Sequence, residues 1–82
     1  MVTPTATISD SISLVYSCCH RMFDSDMADE DRITFALSVV DEMQFLKSFD
    51  DEYFLDHELE FLLQTIRETG NMIMRFNKGL PL

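Results

Sequence analysis

The stretch from Tyr53 to Phe76 constrains this chain more than any other. Read in steps of four and three, it gives Leu55, Leu59, Leu62, Ile66, Thr69, Ile73 and Phe76. Residues at that spacing share one side of a helix, so the stretch reads as a single long helix whose apolar seam is interrupted only by Thr69. Phe54, Phe61 and Leu63 widen the seam into a face. A helix from Glu52 to Asn77 would be ~39 Å long at ~1.5 Å per residue. Gly70 lies inside it at a cost of ~1 kcal/mol relative to alanine. The seam nevertheless keeps phase from Ile66 through Thr69 to Ile73, which predicts a continuous helix or a mild kink, with a break at Gly70 and Asn71 as the alternative. Asn77, Lys78, Gly79 and Pro81 supply an ending: a cation, a glycine cap and a proline beyond it.

Two shorter helices precede it. Ile8, Ile12, Val15, Cys19 and Met22 fall on one face and predict a helix over about residues 8–23. Ile, Val and Tyr also permit a strand over Ile12 to Cys18, but the helical period runs for four turns. Ile33, Ala36, Leu37, Val40, Met43 and Leu46 predict a second helix over about 28–47. The Thr-rich residues 1–7, with Pro4, read as a flexible tail, and Thr7 or Ser9 as the first cap. The acidic connections at 24–31 and 48–52 also offer caps. Asp24, Ser25 or Asp26 would start the second helix and Ser48 or Asp50 the third, with further acids in each first turn, where the helix dipole favours negative charge. The expected fold is all-α: one domain, a three-helix up-down-up bundle or helical hairpin with a long C-terminal helix over about 51–77, dimerised.

The dimer follows from lengths. Helices of ~24 and ~28 Å cannot cover one of ~39 Å, so ~10 Å should project. The projecting end carries Met72, Ile73, Met74 and Phe76, too apolar for water. Either Gly70 folds it back or a second chain covers it, and pairing of the long helices is the simpler solution. Leu62, Ile66, Thr69, Ile73 and Phe76 are the expected oligomer interface.

At 82 residues a single core is marginal without a staple or a partner. Cys18 and Cys19 are adjacent and diverge on a helix, so no disulfide is expected and a reducing cytoplasm is the expected compartment. Residues 1–7 do not read as a signal peptide, and no run approaches the ~18–20 apolar residues of a membrane span. Net charge is −9, unevenly placed. Asp24 to Glu60 holds thirteen acids against Arg32 and Lys47, a balance of −11, whereas Phe61 to Leu82 holds three bases and one acid, a balance of +2. Such a chain is not expected to bind nucleic acid or an anionic membrane directly; it suits a basic protein partner.

No motif requires catalysis, a cofactor or a metal. Cys18, Cys19 and His20 are consecutive, where helical ligands need a spacing of three or four. His57 with Glu60 reverses the Glu-x-x-His order of di-metal bundles and has no second copy. The calcium-loop start at Asp24 fails at Asp29, where glycine is needed, and at Phe35, where a bidentate acid is needed. With glycines only at 70 and 79 there is no phosphate loop.

What stands out is acid. Asp41, Glu42, Asp50, Asp51, Glu52, Asp56, Glu58 and Glu60 form the candidate partner-binding surface. Carboxylates spaced on a rigid helical body resemble, as a type, the small inhibitors that mimic nucleic acid, such as those phages use against host defence. The bland account is that these acids cap helices and keep a small chain in solution. The expected function is an acidic helical protein–protein interaction protein that inhibits or regulates a basic, nucleic-acid-binding partner. The alternatives are an adaptor or structural dimer docking through Met72, Met74 and Phe76, and a metal-dependent helical enzyme around His57 and Glu60.

Overall fold

A computed structural model describes residues 4–82, with side chains from residue 6 onward. Among the described residues there are three α-helices and no strand: α1 (Pro4–Met22), α2 (Asp29–Leu46) and α3 (Asp56–Asn77). A single 3-10 turn, Asp51–Tyr53, separates α2 from α3.

Helix direction follows from which residues meet. Ser11 of α1 donates to the Glu42 carboxylate of α2, and Arg32 near the start of α2 donates to the Met22 carbonyl at the end of α1. The numbers run in opposite senses, so α2 runs antiparallel to α1. The Tyr16 and Phe61 rings lie 5.9 Å apart, and Thr69 touches Met22. Here the numbers rise together, so α3 runs parallel to α1. Ile8, Val15, Cys19 and Met22 of α1 join Ile33, Ala36, Val39, Met43 and Leu46 of α2 and Leu62 and Met72 of α3 in one core. The molecule is a rod of 43 × 19 × 18 Å.

The helix starts differ from those expected. Helix α1 already runs from Pro4, so the tail expected over residues 1–7 is helical from its fourth residue, and Thr7 and Ser9 are inside the helix rather than caps. Proline suits a first helical turn, because its fixed φ is helical and its missing N–H has no acceptor to find there. The remainder of that tail, residues 1–3, lies outside the described residues. Helix α2 starts behind Ala28 with no side-chain cap. Asp24 instead accepts from the Asp26 N–H within its own turn, at 3.0 Å. Asp29, Glu30 and Asp31 do occupy the first turn of α2.

Helix α3 begins at Asp56, about five residues later than the expected start near residue 51. Ser48 turns back to donate to the Phe45 carbonyl at 2.6 Å, and Asp50 makes no side-chain cap bond. The start of α3 is held by Glu58, whose carboxylate accepts from the Leu55 N–H at 2.8 Å. Leucine offers no acceptor of its own, so this back-bond is the whole of the cap. Gly70 interrupts nothing, and α3 is continuous to Asn77. Beyond it Gly79 has φ +72°, with Leu80 N–H bonded to the Arg75 carbonyl at 2.8 Å and Gly79 N–H to Phe76 at 3.0 Å. This paired bonding reverses the chain at a left-handed glycine, and Leu82 packs back on the core.

These shifts shorten the expected overhang. Twenty-two residues of α3 span ~33 Å against ~28 Å for α1, so ~5 Å rather than ~10 Å is left over. Met72, assigned to the projecting end, is buried.

Candidate functional site

Two surfaces outside the core bear on function. The first is an apolar groove of about 480 Å³ between α2 and α3. Its α2 wall includes Val40, Met43 and Lys47, its α3 wall Leu59, Leu63, Ile66 and Gly70, and Phe49 and Phe54 of the connection line it between them. Periodicity explains why it exists. The inward stripe of α3 is Leu62, Thr65, Thr69 and Met72, all buried. Leu59, Leu63, Ile66 and Gly70 lie about a quarter-turn to one side of that stripe. With α1 covering only one side of the α2–α3 pair, they face outward. Leu63 is 66% exposed and Ile66 52%.

The interface expected from the sequence therefore divides. Leu62 and Thr69 are enclosed by the chain itself, Thr69 being 1% exposed with its hydroxyl 3.6 Å from the Met22 sulfur. Ile66 lies on the outer stripe, Ile73 is half-buried against the core, and Phe76 keeps partial exposure. The one seam of the sequence comprises two stripes of the folded helix. The signal that separates them was the excess width at Leu59, Leu62, Leu63 and Ile66, which is more than one neighbour can cover.

The second surface is acidic. Asp50, Asp51, Glu52 and Asp56 are exposed where α2 ends and α3 begins, with Glu58 half-buried beside them and Glu60 exposed one turn along. None makes an ion pair with a described residue; among these residues the ion pair is Arg32 with Asp29 at 3.9 Å. Asp41 is exposed on α2. Glu42 is turned toward α1, where it accepts from Ser11, so it does not extend the same surface. Of the candidate acids, Asp50, Asp51, Glu52 and Asp56 gather at one end of the rod instead of spreading over one face, and Asp24, Asp26, Asp29, Glu30 and Asp31 lie at the other end.

Other residue sets do not assemble. Among the described residues no three His, Cys, Asp or Glu side chains come close enough to hold a metal ion. Cys18 and Cys19 are buried free thiols. Burial pushes both above the ordinary thiol range; Glu42 adds to this for Cys18, while the Thr65 hydroxyl pulls the other way for Cys19. His20 is exposed and packs edge-on against Tyr16 at 5.1 Å. Met74 and Phe76 remain partly open near the end of α3, while Met72 is in the core. Among the described residues no helix is long and apolar enough to cross a membrane. Compared with known protein families, curated proteins and solved structures, this chain finds no match.

Proposed function

We propose that the chain is a non-enzymatic interaction protein, a regulator or inhibitor that binds a basic protein through its acidic end and works as a homodimer in a reducing cytoplasm. One observation carries the reading: Asp50, Asp51, Glu52 and Asp56 stand together at one end, exposed and without a cationic partner among the described residues. Acids placed only to cap helices would bond to backbone N–H groups, as Glu58 does; Asp50 caps nothing. Like charges held close on a rigid body cost free energy that a cationic surface relieves. A nucleic-acid-binding protein presents such a surface, and mimicry of a phosphate chain is the specific form this reading takes.

The test is capture of partners from source cells at low and moderate salt, with wild type and with a variant carrying Asp50→Asn, Asp51→Asn and Glu52→Gln. A basic partner held at low salt, released as salt rises and absent with the variant supports the proposal. A partner that the variant holds equally well contradicts it. The adaptor alternative keeps Met74 and Phe76 as its docking residues, and a partner lost only on Phe76→Ser would favour it.

A further inference from the structure

We propose that the groove between α2 and α3 is the seat of α3 from a second copy of this chain, the two helices running antiparallel with Glu60 of each facing Arg67 of the other. This rests on the dimeric reading above and gives it a geometry.

The outer stripe is built for a helix. Leu59, Leu63, Ile66 and Gly70 follow in steps of four, three and four, the repeat with which one helix seats its side chains between those of another. Turned about an axis between residues 64 and 65, an antiparallel mate brings Leu59 over Gly70 and Leu63 over Ile66. Large meets small in the first pairing: a Cβ built on Gly70 meets nothing within 4 Å, so there is room for a leucine. In the second, the two most open apolar side chains of the stripe cover each other.

Charge chooses the direction. Antiparallel helices bring the same edge of each together, whereas parallel helices bring opposite edges together. Glu60 and Arg67 share one edge of the stripe, two turns apart, and both are exposed. The opposite edge is Leu62 and Thr69, which are buried. A parallel pair would therefore leave Glu60 and Arg67 without a charged neighbour, while an antiparallel pair matches each with its opposite twice, by symmetry. The groove margins carry both signs, Lys47 and Arg67 beside Asp51 and Glu60, which suits a mate that itself bears both signs. The twofold sets the two acidic ends at opposite ends of the paired helices, with Asp50 and Glu52 outside the groove and Asp51 lining it.

The experiment uses full-length Glu60→Arg and Arg67→Glu chains, both exposed changes whose folding is checked by circular dichroism, with mass read by light scattering across a dilution series. Wild type should be a dimer. Each variant alone should dissociate about tenfold more readily, since each sets like charges face to face. Mixed, they should pair as tightly as wild type, because both contacts join opposite charges again, one as in wild type and one with its signs exchanged. The direction is diagnostic for Glu60→Arg, which lowers the net charge from −9 to −7 and would strengthen any association limited by overall repulsion. A wild-type chain that stays monomeric overturns the dimer and this geometry together. A wild-type dimer whose variants pair no better mixed than alone overturns only the geometry. Loss of partner capture by the Asp50, Asp51 and Glu52 variant with mass unchanged keeps the two surfaces separate.

Discussion

Replacing Thr69 by valine should stabilise the protein, although Thr69 is a buried polar residue with a hydrogen bond. The side chain is 1% exposed, and its hydroxyl donates to the Met22 sulfur at 3.6 Å. A thioether is a weak acceptor, so this bond returns less than the ~1 kcal/mol net of an ordinary one. Burying a hydroxyl that is poorly compensated costs ~1–3 kcal/mol in proteins. Valine keeps the shape, has a similar helix propensity and buries one more methyl. The balance is a gain of ~1 kcal/mol, or a rise in Tm of ~4–8 °C for a chain of this size. Thr65 is the control. It is nearly as buried, but it donates to the Phe61 carbonyl at 2.7 Å, a normal bond. Thr65→Val should be neutral or destabilising by up to ~1 kcal/mol. The assay is urea unfolding of both variants at one fixed protein concentration, because a dimer's stability depends on concentration. If Thr69→Val lost more than ~1 kcal/mol with an unchanged urea slope, the hydroxyl would hold something stronger than a sulfur, and this account of the core would be wrong.

Other outcomes follow from single contacts. Gly79→Ala should destabilise by ~1 kcal/mol in urea, because φ +72° is a conformation alanine adopts at a cost. Gly70→Ala, in open space inside α3, should instead stabilise the dilute chain by up to ~1 kcal/mol. Arg32→Ala removes the Nε donor that reaches the Met22 carbonyl at 2.7 Å and joins α2 to the end of α1, and should cost ~1–3 kcal/mol by the same measurement. The thiols of Cys18 and Cys19 are raised in the folded chain, so the neutral form is the favoured one there. Their contribution to stability is complete below the unfolded thiol pKa and is lost as pH rises through the folded value, so urea midpoints should fall in the alkaline range and fall less in a Cys18→Ala, Cys19→Ala chain.

Helix existence was legible because the apolar positions repeat over several turns. Val15, Met22, Ala36, Met43 and Leu62 were all assigned to buried-type faces, and all are buried. Continuity through Gly70 was legible from the unbroken phase of the seam. Starts were not. Several acids and serines were available at each connection, and nothing in their order says that Ser48 bonds backward to Phe45 or that Glu58 closes the turn behind a leucine. Thr69 reads in sequence as the one polar member of the apolar seam and of the expected oligomer interface, and only the proximity of α1 shows it enclosed against Met22. The acidic end was legible as charge in sequence, but its separation from Glu42 depends on the rotation of α2 toward Ser11.

Fold and dimer together require that α3 have an inner stripe that its own chain shields and an outer stripe that a second copy shields. Methyl relaxation by a dissolved paramagnetic agent, read at high and low protein concentration, reports both together. The expected result is that Leu62, Thr69 and Met72 are protected at both concentrations, while Leu63 and Ile66 are protected only at the higher one. Leu63 and Ile66 reached by the agent at every concentration, or Thr69 reached on dilution, would contradict it.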